Sequence, residues 1–259
     1  MKLSKEKIKL HNQAEEYLKK EILSFDEKLF VLENWNEAAT NINSSAGAFF
    51  TPIDLAKDFS LVIYEKANIV DLCAGIGMLS FFAYHHRNCK VTCIELNPDY
   101  VRVGKKILPE ANWINDSITE VLHYNLPKFK QAISNPPFGK IKTGLIGDFD
   151  LKYKGSEFEY ITIGIASKIA EEGSFILPQQ STPFKYSGER NYSEVQPSKK
   201  LSKFFKETGF EMNLPIGIDT SVYLDAWNGV SPMCEVVDID FTQTEQSSTS
   251  AEEINLFNY

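Results

Sequence analysis

Between Ala67 and Leu177 short apolar runs alternate with longer amphipathic stretches. The runs Asn68–Cys73, Lys90–Glu95, Ala111–Asn115, Gln131–Asn135 and Ser174–Leu177 each end in or beside a polar residue, and Pro98–Ile107 and Ser156–Ala170 carry helical spacing. Strand-length runs separated by helices predict a parallel sheet with helices on both faces. Two later runs, Met212–Ile216 and Glu235–Phe241, would complete it. Ahead of the sheet, Ile8, Ala14, Leu18 and Ile22 predict one helix. Ser24 with Glu27 forms a capping box for a second, carrying Leu29, Leu32, Trp35 and Ala39. After a turn-rich break at Asn41–Gly47, Thr51 as N-cap and Pro52 at the first helical position predict a third.

In such sheets ligands bind beyond the carboxyl ends of the strands. Those ends carry Asp71, Glu95, Asp116 and Asn135, four polar residues on one edge. The polar segments Gly139–Gly155 and Gln179–Gln196 follow the fourth and fifth strands on that edge, and their length predicts lids or binding loops. Thr242–Glu253 is rich in Ser, Thr, Gln and Glu and predicts a disordered tail. The organisation expected is an N-terminal helical extension over 1–46, an α/β domain over 47–241 and a polar tail over 242–259.

Composition narrows the class. The 259 residues are 43% hydrophobic and 24% charged, which excludes collagen-like, coiled-coil and wholly disordered chains. No apolar run reaches a membrane span and the first residues lack a signal-peptide core, so a cytoplasmic protein is expected. Four cysteines without a second Cys/His pair give neither a disulfide framework nor a zinc set. The net charge of −8 opposes binding a polyanion, but its distribution changes that picture. Residues 207–259 hold ten acidic side chains and no basic one, whereas 138–206 hold eleven basic against eight acidic.

Three segments carry candidate chemistry. Asp71-Leu72-Cys73-Ala74-Gly75-Ile76-Gly77 joins the first strand to a helix, and its glycines permit close backbone approach to a ligand. It is no P-loop, and Ser80 stands where a dinucleotide fingerprint has its third glycine. A tight strand–helix turn alone would also place glycines there. Glu95, at the end of the next strand, suits two ribose hydroxyls. In Asn135-Pro136-Pro137-Phe138 the prolines remove two donors and leave outward carbonyls, Asn135 adds an amide oxygen, and Phe138 offers a face for stacking.

With these segments in this order the chain resembles the class I S-adenosylmethionine-dependent methyltransferases, more narrowly those that modify adenine N6. Gly47-Ala48-Phe49-Phe50-Thr51-Pro52 is similar to a segment of DNA adenine methyltransferases whose cofactor motifs precede Asn-Pro-Pro-Phe, such as the modification subunits of type I restriction systems. The resemblance spans about residues 45–180. It implies a Rossmann-like α/β fold with a mostly parallel seven-stranded sheet, S-adenosylmethionine as methyl donor and no metal. It further implies that Phe50 and Thr51 hold the methionine end of the cofactor, Asp71 its amino group, Glu95 its ribose and Asp116 with Ile118 its adenine, with Gly75 and Gly77 letting the chain pass close. Asn135 and the Pro136 carbonyl would hold the target amine while Phe138 stacks on the base. The implied partner is DNA with a flipped or unpaired adenine, reached by Lys140 and Lys142, with Lys152 and Lys154 extending the basic surface.

After the fifth strand only about eighty residues remain, too few for a large target-recognition domain. Recognition would then come from loops, the N-terminal helices or a separate specificity subunit. Asn-Pro-Pro-Phe followed by Gly139 and Lys140 also resembles ribosomal-RNA adenine enzymes. Two further alternatives are a protein-glutamine methyltransferase, a group that typically has Tyr where Phe138 stands, and a non-catalytic partner in a methyltransferase complex.

Overall fold

The computed structural model describes residues 4–36, 49–140 and 150–242. Helices α1 (Lys5–Leu18), α2 (Phe25–Asn34) and α3 (Ile53–Phe59) precede β1 (Asn68–Leu72), α4 (Met78–Arg87), β2 (Lys90–Glu95), α5 (Pro98–Ile107), β3 (Asn112–Asn115) and β4 (Phe129–Ser134). Then follow α6 (Phe158–Ile169), β5 (Ala170–Pro178), β6 (Phe184–Lys185), β7 (Ser193–Glu194), α7 (Lys199–Thr208) and β8 (Cys234–Asp240). The main sheet runs β3-β2-β1-β4-β5-β8, parallel except for β8 against β5, while β6 and β7 form a separate small ribbon. The order reverses between β1 and β4, where Asp71 lies opposite Ile133.

Alternation along β1 divides the core. Ile69 joins the cluster beneath α1–α5, and Val70 and Leu72 join the one beneath α6 and α7. The N-terminal helices are part of the first cluster, which buries Ala14, Leu18, Val31, Leu32 and Trp35. Ser24 and Glu27 form both bonds of the expected capping box.

Several expectations are corrected. The sheet has six strands, not seven, among the described residues: Met212–Ile216 contributes an isolated bridge, Asn213 to Asp238, because Pro215 lacks the donor to extend it. Ile22 lies beyond the end of α1, 82% exposed. Pro52, not Thr51, is the N-cap of α3, since the Thr51 hydroxyl is engaged elsewhere. Leu151 and Tyr153, in the segment expected to form a lid or a binding loop, are buried in the second cluster. The Gln179–Gln196 segment is fastened by Glu235, whose buried carboxylate accepts from Gln179 Nε2, the amides of Tyr186 and Ser187, and Ser187 Oγ. The Asn41–Gly47 break, Ala39, Gly47, Ala48, Lys142, most of the polar tail and the centre of Gly139–Gly155 lie outside the described residues.

Candidate active site

A cleft partly open to solvent lies at the β1/β4 switch point. It is lined by Phe49, Phe50 and Thr51 before α3, by Asp71 and the turn Cys73–Ile76 after β1, by Met78 and Leu79 at the start of α4, and by Asn135 after β4. The sequence separates these segments by more than eighty residues, and the reversal of strand order brings them to one edge.

Asn135 is held in one orientation. Its Nδ2 donates to the Phe49 carbonyl (3.2 Å) and to Thr51 Oγ1 (2.9 Å). A carbonyl only accepts, so the amide nitrogen must face Phe49, and Oδ1 has no partner among the described residues. Pro136 is buried, and Phe138 is half-buried against the first core cluster rather than standing out in solvent. The chain after Phe138 is clamped: the Gly139 amide donates to Glu159 Oε2 at 2.8 Å, and the other oxygen of this buried carboxylate accepts from Ser181 Oγ at 3.0 Å. Glu159 thus joins the two loops that follow β4 and β5.

Asp71 is 1% exposed and accepts from Ser80 Oγ at 2.6 Å. Burial pushes its carboxyl up to about 7, moderated by the Ser80 bond and reinforced by the charge of Glu95. Glu95 accepts from the amides of Gly75 (2.8 Å) and Asn97 (2.7 Å), tying the glycine turn to β2. Burial pushes it up to about 7 as well, against the stabilising bonds from the Asn97, Gly75 and Leu96 amides.

The glycines act differently from each other. Gly75 has φ +58°, and a Cβ there would stand 3.2 Å from Phe50 Cε1, against the cleft wall. Gly77 has φ +89° as the N-cap of α4, and its Cβ would meet the Trp113 ring at 3.1 Å. Gly77 therefore serves packing and the helix start, away from the cleft lining. Phe50 is itself fixed by Tyr100 (centroids 5.0 Å apart) and Trp35 (6.0 Å). Trp35 donates to Glu15, which also pairs with Arg102, so the N-terminal helices buttress the cleft wall.

Of the sequence-derived candidates, Phe50, Thr51, Asp71, Gly75 and Asn135 line the cleft. Glu95 is one hydrogen bond away through Gly75. Asp116 lies outside the lining and accepts from the Ser117 amide and the Tyr124 hydroxyl. Ile118 is 4% exposed in the second core cluster, on the face of the sheet opposite the one that holds Ile69, so its side chain supports the fold there. Lys140 is exposed beside Glu157. Sequence reasoning missed Ser80 and Glu159. Ser80 had one visible signal, a hydroxyl within the first turn of the helix that follows Asp71; Glu159 had none.

The raised carboxyls have a thermal consequence. Between their ordinary values and about 7, folded Asp71 and Glu95 bind more protons than the unfolded chain, so their contribution to stability is complete at low pH and is lost as pH rises through 7. Buried Asp238, raised to about 6, acts in the same sense; His11, His85 and His86, lowered by burial, act oppositely. The measurement is therefore a difference. The melting temperature of Asp71→Asn minus that of the parent, without ligand, should increase from about pH 5 to about pH 7.5. A difference independent of pH contradicts a raised Asp71.

No protein-family model matches the chain. It is 30% identical over 134 residues to a tRNA1(Val) (adenine(37)-N6)-methyltransferase of Shewanella sediminis, covering 45% of this chain and 54% of that protein. The chain thus spans about half the length of the curated relative it matches. Among solved structures it is similar to a Listeria monocytogenes chain described as a class I S-adenosylmethionine-dependent methyltransferase (TM-score 0.58, 10% identity, 84% of this chain and 68% of that one). It is also similar to the methyltransferase subunit of a type I restriction-modification system from Streptococcus thermophilus (TM-score 0.53, 14% identity, 83% and 48%). The fold is the Rossmann-like methyltransferase fold expected from the sequence, with six strands in its main sheet among the described residues.

Proposed function

We propose that the chain transfers the methyl group of S-adenosylmethionine to N6 of an adenine in DNA. The observation that carries this reading is the bond between Thr51 and Asn135, which makes the aromatic-Thr-Pro segment and Asn-Pro-Pro-Phe parts of one site. The cleft suits a cationic amino-acid moiety. Asp71 is a buried carboxylate with a hydroxyl donor on one oxygen and no ion-pair partner among the described residues, and a ligand ammonium would supply the missing charge. Asp71 would hold that amino group, Phe50, Thr51 and Gly75 the methionine end, Glu95 the ribose and Asp116 the adenine. The cofactor supplies an electrophilic methyl on a sulfonium.

The chain's own residues then perform positioning more than acid–base work. Asn135 Oδ1 and the Pro136 carbonyl accept hydrogen bonds from the target amino group. This favours a pyramidal nitrogen and stabilises the positive charge that develops as the new bond forms. Thr51 and the Phe49 carbonyl keep that acceptor aimed, and Glu159 keeps the following loop in register. A base within a duplex cannot enter the cleft, so the adenine is extruded or already unpaired, with Phe138 stacking on it.

RNA is the second reading, favoured by the identity to a tRNA adenine-N6 methyltransferase. Both are tested by offering labelled S-adenosylmethionine with unmethylated duplex DNA, single-stranded DNA, tRNA and ribosomal RNA, then digesting the products to nucleosides. Label in N6-methyldeoxyadenosine is expected. Label confined to RNA transfers the activity to the second reading, and label in 5-methylcytosine or in protein overturns both.

A further inference from the structure

Helix α7 carries Lys199, Lys200, Lys203 and Lys206, all exposed, while Leu201, Phe204 and Thr208 face the core. At the start of the helix this placement opposes stability, whereas Lys206 in the last turn suits it. Lys199 and Lys200 occupy the first turn, where the backbone dipole disfavours cations and no acidic residue is present. Lysines three and four positions apart also repel one another. Cations kept where the helix alone would be better served by acids point to an external anion.

The face continues into the site. Lys140, two residues beyond Phe138, forms a backbone bridge to Glu157, whose carboxylate pairs with Lys200 at 3.0 Å. Further along, Lys203 Nζ donates to the Lys154 carbonyl at 3.3 Å, and exposed Lys152 and Lys154 lie beside the helix, Lys152 over the Phe210 ring. Glu157 and Glu207 neutralise part of this charge, through Lys200 and Lys203. Lys199 and Lys206 make no ion pair among the described residues.

We propose that this lysine ridge, from the Asn-Pro-Pro-Phe loop along the outer face of α7, holds the phosphate backbone of the nucleic acid whose base enters the cleft. The assignment rests on the nucleic-acid reading above and adds where the strand runs. It explains how a chain with net charge −8 binds a polyanion: the contact is confined to one basic face.

The test compares the parent with Lys199→Glu/Lys200→Glu/Lys203→Glu/Lys206→Glu in the full chain, using fluorescent single-stranded DNA and RNA oligonucleotides of one adenine-containing sequence across a series of KCl concentrations. Glutamates at 199 and 200 suit the helix dipole, but those at 200, 203 and 206 lose the pairs with Glu157 and Glu207 or stand in the last turn, so melting temperatures are measured alongside and binding is read on the folded protein. The affinity for S-adenosylmethionine, measured in parallel, should stay within about twofold, because α7 contributes nothing to the cleft lining. Affinity for both oligonucleotides should fall at least tenfold, and the slope of log affinity against log salt should shrink by about 3, the value for four lost phosphate contacts on a single strand. Lys152→Glu/Lys154→Glu should shift it in the same direction by about half as much. A parent that binds with a slope unchanged in the fourfold variant overturns the ridge and leaves the function standing. A parent that binds neither oligonucleotide overturns the ridge, and the methyl-transfer assay above decides the function separately.

Discussion

Asn135→Ala should lower methyl transfer by about 10²–10³-fold, the usual cost of one oriented group that meets charge developing in the transition state. The affinity for S-adenosylmethionine should change far less, because Oδ1 is assigned to the target amine and the Nδ2 bonds to Phe49 and Thr51 only steady the cleft wall. The structure adds a graded series to this expectation. Thr51→Val keeps the shape of residue 51 but removes the acceptor at 2.9 Å that fixes the Asn135 amide. With the Phe49 carbonyl still in place, the loss in rate at saturating cofactor should be about 1 kcal/mol, or about fivefold, while any fall in cofactor affinity reads the separate contact of Thr51 with the methionine end. Asn135→Asp should fare no better than the alanine variant, since a carboxylate oxygen would then face the Phe49 carbonyl, a lone pair against a lone pair. Single-turnover rates with saturating cofactor and nucleic acid read all three. A Thr51→Val variant as slow as Asn135→Ala would mean that Thr51 acts by another route, and an Asn135→Ala variant as fast as the parent would remove Asn135 from the chemistry.

The sheet was readable because each strand is a short apolar run bounded by turn residues, and β1 to β4 fall within two residues of the runs that announced them. The capping box at Ser24 was readable for the same reason, since its bonds are local. What failed was decided by contacts distant in sequence. Thr51 has the side chain of an N-cap, yet Asn135, eighty-four positions away, claims its hydroxyl. Met212–Ile216 has a strand's apolar character, but the proline at 215 stops the ladder after one bridge. Gly75 and Gly77 look alike in the sequence, and only the positions of Phe50 and Trp113 show that one borders the cleft and the other does not. Lys199 to Lys206 stand in the sequence only as part of the basic 138–206 stretch, and it is the Lys200–Glu157 pair that links them to the chain following Asn135.

That difference between the two glycines supplies the second large effect. Gly75→Val should abolish detectable binding of S-adenosylmethionine. At φ +58° a β-branched side chain is strained in any surroundings, and here its first carbon would sit 3.2 Å from Phe50, which Tyr100 and Trp35 hold from behind. The ring cannot withdraw without disturbing that aromatic cluster, so the glycine turn must move away from the cleft instead. Some loss of fold stability, about 1–2 kcal/mol from the backbone alone, accompanies the change, and melting temperatures must be read alongside calorimetry. Gly77→Ala is the matched comparison. It is strained in the same way, at φ +89°, and crowds Trp113 at 3.1 Å, but it borders the core and not the cleft. It should therefore lower the melting temperature while the folded fraction still binds cofactor close to normally. Gly75→Ala, with the smaller side chain, should lie between, weakening binding more than Gly77→Ala at equal or greater stability. Equal binding losses at equal stability in the two alanine variants would show that the turn acts only through the fold, and normal affinity in Gly75→Val would move the cofactor out of this cleft altogether.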